Sequence, residues 1–533
     1  MTDIETVRAY HALSSHEPQR AAPGPGMLDW STQPAPFRHY LGALQLPLLH
    51  RPLQESPDYD AVFAGPLDGP APLNLASVSQ LLYDSLALSA WKEAGGNRWA
   101  LRVNPSSGNL HPTEAYLLLP AGAVSSGACL AHYRADSHAL ELRAELPTDL
   151  ARRLAEDVPA GGLLLALSDI PWREAWKYGE RAYRYCQLDA GHALACLAIA
   201  ASALGWQLRV LRGVAETTLD AVFGLDREGF HEHESVGALC WIGPPQASEF
   251  NLSPALLDGL AELALHGRPN RLSPSYRAWP QLSQVLETCR APTRPPAPDW
   301  RAPAAAITPD NPGLALRPLL HQRRSAQAMD GRAGIRVELL AAWLQRLLPQ
   351  HSPVPFACSG EPTEVDLLLF IHRVEGLTPG LYWLDRSGRG PQSLRADFVW
   401  EAAQPGLPLF RLLEGDARGL SAFLSCEQDI ASDGVLALAM LVHLDEALAD
   451  GAWRYPRLYW ECGQIGQLLY LEAEAAGLSG TGIGCFFDHS LTELLGIPDK
   501  SRQSLYHFTI GRALTDERIS SLPAYSNLRP LPV

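Results

Sequence analysis

The chain has 533 residues, of which 47% are hydrophobic and 19% are charged, a composition typical of globular rather than disordered proteins. At about 150 residues per domain, this length predicts two to four domains. The formal net charge is −15. Because an acidic chain repels phosphate backbones and anionic lipids, we expect a protein that handles small molecules and binds neither nucleic acid nor membranes.

The N-terminal segment, residues 1–20, contains no apolar stretch like that of a secretory signal peptide. The most apolar long stretch, 190–206, is shorter than the roughly 20 residues that span a membrane, and it contains His192. Nine cysteines without CxxC spacing, most of them in apolar runs, are typical of reduced, buried thiols. These features predict a cytoplasmic protein without a metal site.

Strands and helices alternate along the chain. Residues 190–204 are apolar on nearly all faces, and a helix of this kind must be buried on every side. We interpret each half of the chain as an α+β domain with a central sheet flanked by helices. The predicted strands are 115–119, 163–168, 238–244, 366–371 and 506–512, and the two long helices are 189–205 and 461–477.

An internal repeat relates the two halves. Residues 112–114 and 362–364 both read Pro-Thr-Glu and both precede an apolar strand, and a long small-residue helix follows in each half. Packing of one helix against its copy predicts a pseudo-two-fold interface, like that of a symmetric dimer. We therefore expect a first domain at 1–265, a Pro/Arg/Ala-rich linker at 266–310 and a second domain at 311–533.

Two polar segments are candidate binding motifs. Segment 104–114, NPSSGNLHPTE, predicts an irregular turn whose amides and whose Ser106 and Ser107 hydroxyls can bind a polar ligand. Segment 323–325, Arg-Arg-Ser, offers two guanidiniums and a hydroxyl to a phosphate. On composition alone, a plain surface turn and a solvated arginine pair are the alternatives.

The segment 480–484, Gly-Thr-Gly-Ile-Gly, differs from a dinucleotide-binding fingerprint because it follows a helix and has GxGxG spacing. We expect its glycines to let the main chain approach a flat ligand. Arg512 ends the last predicted strand, whereas Pro244 stands at the corresponding place in the first half.

Together these segments resemble the FMN-dependent nitroreductase superfamily and, within it, the SagB/ThcOx-type dehydrogenases, in a tandem fused form. The resemblance is carried by residues 28–40, 104–116, 177–192, 323–325 and 480–484 and extends over most of the chain. It implies two fused nitroreductase-like domains that form an intramolecular pseudo-dimer with FMN between them. Further association of the fused chain stays open.

The resemblance also implies which residues hold FMN. The second half would grip the phosphate and face the ring, while the first half would supply a serine-bearing loop. Gln327 departs from the superfamily, which often has a basic residue there. The implied residues are Pro105, Ser106, Ser107, Gly108, Asn109, Arg323, Arg324, Ser325, Gln327, Gly482, Ile483, Gly484 and Arg512.

The complementary site is degenerate in the sequence. The second half has a shortened loop at 357–360, and the first half has Arg38 but no Arg-x-Ser segment. Residues 206–208, Trp-Gln-Leu, replace the glycines, and Pro244 replaces the phosphate arginine. A phosphate left without a fixed positive charge is costly to bury, so we predict one FMN per chain.

Lys177 and Tyr178 match a Lys-Tyr pair that azoline-oxidising relatives use in proton transfer, which makes them the candidate catalytic residues. The alternative is that Lys177 belongs to a solvated charged face with Arg173, Glu174, Glu180, Arg181 and Arg184. By default His192 is a satisfied core residue, and His111 is expected near the ligand. Tyr183 and Tyr185 either line the pocket or pack in the core.

The function implied is that of an FMN-dependent oxidoreductase, with dehydrogenation of peptide azoline rings during natural-product maturation as the leading candidate. An NAD(P)H-dependent nitro- or quinone reductase is the nearer alternative. A non-catalytic flavin-binding or flavin-sequestering protein and a structural protein without cofactor are further alternatives. Its partners would be a small-molecule or peptide substrate, with NAD(P)H as a further candidate, and the electron acceptor stays open.

Overall fold

The framework of the protein is a pair of seven-stranded antiparallel sheets, one in each half of the chain. The computed structural model describes residues 2–50, 55–245, 250–294, 311, 313–390, 394–395, 397–497 and 501–525. In spatial order, the first sheet consists of β2 (Leu44–Pro47), β7 (Ala139–Glu145), β6 (Cys129–Arg134), β5 (Thr113–Leu119), β8 (Leu163–Asp169), β10 (Ser235–Gly243) and β9 (Gln207–Val210). The second consists of β16 (Glu401–Ala402), β17 (Leu409–Glu414), β15 (Gly380–Leu384), β13 (Asp366–Ile371), β18 (Leu436–His443), β20 (Arg502–Gly511) and β19 (Ser479–Ile483).

The two sheets have the same topology. Position by position, β5 corresponds to β13, β8 to β18, β10 to β20 and the edge strand β9 to β19. Their central strands are continuous apolar runs because both faces of each sheet are covered. This correspondence confirms the repeat and the predicted α+β architecture of two fused domains.

Helices cover both faces of the sheets. They are α1 (Asp3–Leu13), α2 (Leu75–Tyr83), α3 (Thr148–Asp157), α4 (Pro171–Tyr178), α5 (Ala182–Ser202), α6 (Glu216–Phe223), α7 (Pro254–Ala261), α8 (Pro280–Thr288), α9 (Leu316–Gln322), α10 (Val337–Arg346), α11 (Pro353–Phe356), α12 (Arg418–Leu424), α13 (Ile430–Asp433), α14 (Leu444–Ala447), α15 (Arg454–Ala475) and α16 (Asp488–Leu494). The two central helices begin earlier than predicted: α5 starts at 182 rather than 189, and α15 at 454 rather than 461.

The central helices α5 and α15 pack against each other between the halves. Every residue of α5 is buried, as its apolar sequence predicts. The backbones cross at two glycines: a Cβ on Gly191 would lie 2.4 Å from the carbonyl oxygen of Trp460, and one on Gly463 would lie 2.4 Å from that of Leu188. Only glycine allows this approach, so the pseudo-two-fold interface is specified by single residues.

The chain termini cross between the halves. Near the C-terminus, β21 (Ser520–Leu522) pairs with β3 (Leu88–Ala94), which forms a hairpin with β4 (Asn97–Arg102). At the N-terminus, His11 of α1 lies 2.9 Å from the Tyr455 hydroxyl of α15. Two further two-stranded pairs are β1 (Tyr40–Leu41) with β11 (Arg268–Pro269) and β12 (Ile335–Arg336) with β14 (Val374–Glu375).

The predicted linker at 266–310 contains both ordered and undescribed parts. Helix α8 lies inside it, while residues 295–310 lie outside the described residues. The bounds of the three predicted segments, 1–265, 266–310 and 311–533, stay predictions. Among the helices that the structure describes, none is long and apolar enough to cross a membrane.

Candidate functional site

A cleft of about 660 Å³ lies between the two halves. Volumes of roughly 300–1,000 Å³ are typical of sites that hold a small molecule or cofactor. Residues of both halves contribute to its wall. The predicted residues that line it are Pro105, Ser106, Ser107, Gly108, Asn109, Tyr178, Arg323, Arg324, Ser325, Gln327, Gly482, Ile483 and Gly484.

The serine loop of the first half is held by a buried carboxylate. The backbone N–H of Ser107 donates to Asp189 Oδ1 over 3.0 Å, and its hydroxyl donates to the same oxygen over 2.9 Å. The His111 N–H donates to Ser106 Oγ over 2.8 Å. Gly108 has a φ of 58°, and a Cβ there would lie 2.6 Å from the Tyr178 hydroxyl. The loop therefore needs glycine at this position to pack against Tyr178.

Arg323 carries an unsatisfied buried charge on the second-half side of the cleft. Its side chain is buried and lies over the Tyr470 ring, 4.8 Å from the ring centre. Its Nη2 donates to Arg102 O over 3.3 Å, but Nε and Nη1 have no hydrogen-bond partner within the described parts of the chain. Two buried guanidinium nitrogens without acceptors are costly, even with the Glu474 carboxyl close enough to interact electrostatically, so this position fits an anionic ligand.

Arg324 and Ser325 are anchored by the protein itself. Arg324 donates to the hydroxyl and the carbonyl of Ser89 on β3, at 3.2 Å each. Ser325 Oγ lies 2.8 Å from the Tyr470 hydroxyl. These contacts fix the segment 323–325 against the cleft wall and leave Arg323 as its unsatisfied cation.

The glycines of 480–484 make room for two tyrosines. The segment is edge strand β19 and its following turn, where a Cβ on Gly482 would overlap the Tyr506 hydroxyl at 1.7 Å. A Cβ on Gly484 would lie 2.2 Å from the Tyr185 ring. Both tyrosines line the cleft, so close backbone approach occurs here toward side chains.

Arg512 lies beside the cleft rather than in its lining. Its side chain is 67% exposed, and its Nη1 is 4.0 Å from Asp330 Oδ2. The following residues, 513–516, line the mouth. Arg512 is thus a solvated cation next to the mouth, in contrast to the buried Arg323.

The candidate catalytic pair lies at the end of α4. Tyr178 lines the cleft, and burial raises the pKa of its phenol well above the usual value. Lys177 is half-buried and does not line the cleft, but its Nζ would lie 3.2 Å from a Cβ on Gly108. The structure therefore brings both residues to the serine loop.

The alternative of a solvated charged face around Lys177 is wrong. Its three arginine neighbours form ion pairs with distant segments: Arg173 with Glu114 at 2.6 Å, Arg184 with Asp488 at 2.6 Å, and Arg181 with Asp488 at 3.2 Å. The buried neighbours are Arg173, Glu174, Glu180, Arg181 and Arg184.

Three buried carboxyl groups, those of Asp169, Glu174 and Asp189, lie behind the serine loop. Burial raises the pKa of Asp169 and of Asp189 to about 7 each. Burial also raises the pKa of Glu174, whose two carboxyl oxygens have no hydrogen-bond partner in the described chain. Burial therefore favours the protonated form of these three carboxyl groups, which lie close to Lys177.

The two histidines and the two tyrosines that the sequence left open differ in whether they line the cleft or pack in the core. His192 is buried within 3.3 Å of the Tyr506 hydroxyl and of Gln467 Oε1, and burial lowers its pKa to about 3. It is a neutral core residue that also lines the cleft. His111 lines the cleft with both ring nitrogens buried and unpartnered among the described residues. Tyr185 lines the cleft, whereas Tyr183 packs against Tyr455 in the core.

Sequence reasoning did not single out Asp189, Tyr470, Tyr506 or the C-terminal segment 513–516. A signal was present for Asp189, which is the charged residue in the otherwise apolar run 186–202. Tyr470 and Tyr506 lie in apolar stretches, where aromatic residues are expected to be core. Their place in the cleft follows from packing of the two halves.

The corresponding place in the pseudo-symmetric arrangement is closed. A cavity of about 20 Å³, room for about one water molecule, lies beside loop 357–360 and is lined by second-half residues. The Val210 N–H of β9 donates to Cys358 O over 2.8 Å, so loop 357–360 covers the edge strand that corresponds to β19. Arg454 pairs with Glu364 at 2.9 Å and Arg457 with Glu216 at 2.5 Å. Internal ion pairs thus fill this position.

In the described part of the chain, no group of three or more His, Cys, Asp or Glu side chains is placed to hold a metal ion.

Comparisons with known proteins agree with the duplicated fold. The model of the nitroreductase family matches residues 84–243 in the first half and 428–512 in the second, a little under half of the chain. No curated protein matches the chain. A crystal structure of a nitroreductase candidate from Anabaena variabilis is similar, with a TM-score of 0.69 and 23% identity over 96% of this chain and 99% of that chain. The protein therefore has a tandem nitroreductase fold.

Two further solved structures match smaller parts of the chain. The microcin synthetase complex McbBCD of E. coli, solved with truncated pro-MccB17 bound, matches 46% of this chain and 93% of its own at 18% identity and a TM-score of 0.28. The FMN- and NADPH-dependent nitroreductase NfnB from a Sphingopyxis strain matches 41% of this chain and 95% of its own at 14% identity and a TM-score of 0.20.

Proposed function

We propose that this protein is an FMN-dependent oxidoreductase of the nitroreductase superfamily, with one FMN in the cleft, and that it acts as a SagB-type dehydrogenase in natural-product or peptide maturation. Arg323 carries the proposal. It is a buried guanidinium with two unpartnered nitrogens in the described chain, and it lines a cleft large enough for a cofactor. The phosphate of FMN would supply acceptors for these two nitrogens.

The remaining residues fit the group as well. Ser325, fixed by Tyr470, and the backbone of 482–484 would contact the cofactor from the second half. Pro105 and the serine loop, fixed by Asp189, would contact it from the first half. Arg512 is exposed and is free to turn toward the phosphate. Since ion pairs fill the corresponding place in the other half, we propose one FMN per chain.

When bound, FMN would supply two-electron oxidation by accepting a hydride. Oxidation of an azoline ring to the azole also requires removal of a proton from the neighbouring carbon. We propose that Lys177, as the uncharged amine, takes this proton, because burial keeps the Tyr178 phenol protonated. Tyr178 then acts as a hydrogen-bond donor that orients the ring. The buried Glu174 carboxyl lies close enough to Lys177 to interact with it electrostatically.

The mouth of the cleft suits a peptide-borne ring. Lys92 and Trp99 of the β3–β4 hairpin and residues 513–516 border it, and Leu514 is exposed. These side chains offer a cation, an aromatic face and apolar surface to the part of a substrate that extends out of the cleft. The segment 513–516 precedes β21, which pairs with the hairpin and closes this border.

The test is oxidation of a thiazoline-containing peptide by the FMN-loaded protein, followed by mass spectrometry for the loss of two hydrogen atoms. We expect turnover in the wild type and a loss of about 100-fold or more in Lys177→Ala, with FMN content unchanged. Lys177→Arg is the matched control, because it keeps the charge but cannot serve as a base at neutral pH, and it should be equally inactive.

Other outcomes select the alternatives. An unchanged rate in Lys177→Ala removes Lys177 from the mechanism. Reduction of quinones with NADPH, without oxidation of azolines, makes the protein a reductase. A bound flavin that no donor reduces, or that oxygen does not reoxidise after reduction, indicates a flavin-sequestering protein. A preparation that neither contains nor takes up FMN indicates a structural protein.

A further inference from the structure

Two cysteines lie side by side at the edge of the cleft. The Sγ atoms of Cys426 and Cys485 are 2.7 Å apart, closer than two sulfur atoms normally approach without a bond. A disulfide joins sulfur atoms at about 2.05 Å, so a small displacement brings the pair to bonding distance. Both residues are partly exposed, whereas the other seven cysteines are buried, and Cys485 lines the cleft. This pair differs from all other thiols of the chain in access and in having a partner.

The surrounding structure holds the pair together. Cys426 lies in the turn after α12, and Cys485 follows β19. The Phe487 N–H donates to Leu424 O over 2.8 Å, and the side-chain amide of Gln428 donates to Cys485 O over 3.2 Å. Cys426 and the next residue have φ values of 55° and 58°, in the left-handed region that non-glycine residues rarely adopt. Strain of this kind persists only where the surroundings impose it.

The electrostatic surroundings make Cys485 the better nucleophile. Its contact with Cys426 and the nearby Arg181 guanidinium lower its pKa, although burial and Asp488 oppose them. The same contact and burial raise the pKa of Cys426. Arg181 is fixed at this place by a 2.9 Å hydrogen bond to Gly484 O. Cysteines near a cation ionise more readily, and the thiolate is the reactive form.

We propose that Cys426 and Cys485 form a redox-active dithiol that reduces small disulfides entering the cleft. Cys485 is the attacking residue because it lines the cleft, and Cys426 is the resolving residue because it lies behind it. This activity rests on neither FMN nor Lys177, and so it goes beyond the function proposed above.

The exchange balances as two substitutions at sulfur. The Cys485 thiolate attacks one sulfur of a small disulfide, which forms a mixed disulfide and releases the first small thiolate. Cys426 loses its proton and attacks Cys485 Sγ, which forms the Cys426–Cys485 disulfide and releases the second small thiolate. The two cysteines are oxidised, the small disulfide is reduced to two thiols, and the two cysteine protons pass to those thiols through solvent.

The disulfide would also tie the turn after α12 to the segment that carries Gly482 and Gly484. Both glycines line the cleft, so the redox state of the pair would act on the wall of the cofactor site. A second thiol such as dithiothreitol would restore the dithiol.

The test treats the full chain, with and without added FMN, with glutathione disulfide and then blocks free thiols and maps peptides by mass spectrometry. We expect a cross-linked peptide pair that contains residues 426 and 485, with the loss of two of the nine thiols and recovery after dithiothreitol. Cys426→Ser should accumulate one glutathione per chain on Cys485, because the resolving thiol is missing. Cys485→Ser should stay unmodified.

The matched control is Cys129→Ser, which replaces a buried thiol of β6 and should behave as the wild type. If the serine variants do not fold, the rate of thiol loss in the wild type still tests the proposal. Two thiols should then react at least about tenfold faster than the other seven. Reaction of other cysteines first, no cross-link in the folded chain, or equal reaction of Cys485→Ser overturns the proposal. If the cross-link forms in a folded chain that binds no FMN, the dithiol proposal stands and only the FMN proposal is refuted.

Discussion

Arg323 shows how one side chain links the sequence to a ligand. Two of its nitrogens are buried and unpartnered in the described chain, while the neighbouring Arg324 uses its donors on Ser89. The two neighbouring arginines therefore differ in role: Arg324 is structural, and Arg323 is available to bind an anion. A hydrogen bond to a charged group contributes about 1.5–3 kcal/mol, and each 1.4 kcal/mol is tenfold in affinity.

We expect Arg323→Met to weaken FMN binding about 100-fold while leaving riboflavin binding unchanged, because riboflavin has no phosphate. Methionine keeps an apolar stem over the Tyr470 ring, so the wall of the cleft is preserved. Fluorescence titration of both flavins measures the effect, with the exposed Arg332→Ala as control. Equal losses for FMN and riboflavin would mean that Arg323 shapes the cleft rather than binds the phosphate.

Asp189 predicts a pH dependence of stability. Burial raises its pKa to about 7, whereas an unfolded aspartate has a pKa of about 3.9. Between these values the folded chain holds a proton that the unfolded chain has lost, so this group makes the free energy of unfolding fall as pH rises from about 4 to about 7.

Asp189→Asn removes that contribution while keeping an acceptor for the Ser107 N–H. We therefore expect the free energy of unfolding of the variant, relative to the wild type, to rise with pH across this window by on the order of 1 kcal/mol per unit and then level off. Denaturant unfolding at pH 5, 6, 7 and 8 measures it, with the exposed Asp226→Asn as control. A difference that does not change with pH would contradict the buried titration.

At the scale of elements, the crossing of α5 and α15 holds the halves together. We expect Gly463→Ala to lower the free energy of unfolding by about 3 kcal/mol or more, because the new methyl group would meet the backbone of α5 at Leu188. Gly419→Ala is the matched control: it also lies in a helix, has no atom within 4 Å of the new Cβ, and should be neutral or stabilising by up to about 1 kcal/mol. Equal effects of the two substitutions would show that the close crossing is not needed.

Elements with a clear periodicity could be predicted from the sequence, and those defined by the partner half could not. The apolar runs at 163–168 and 366–371 became strands, and the small-residue helices became the central pair. The N-terminal turns of α5 and α15 were missed because polar residues such as Arg184 and Arg457 are buried there through ion pairs with distant segments. Such pairs leave no periodic signal in one stretch of sequence.

At the scale of the whole molecule, the duplicated fold has two unequal interfaces. One holds the 660 Å³ cleft, and the other is filled by loop 357–360 and by the pairs of Arg454 and Arg457. The sequence predicted this inequality from the residues that the first half lacks. It could not predict what fills the space instead, because the filling pairs join residues as far apart as Glu216 and Arg457.

The direct test is titration of the purified chain with FMN, read as bound FMN per chain at saturation. A cleft at one interface and a closed partner at the other predict one FMN per 533-residue chain, with about 100-fold weaker binding in Arg323→Met. Saturation at two FMN per chain, or no binding by a folded chain, would contradict this account.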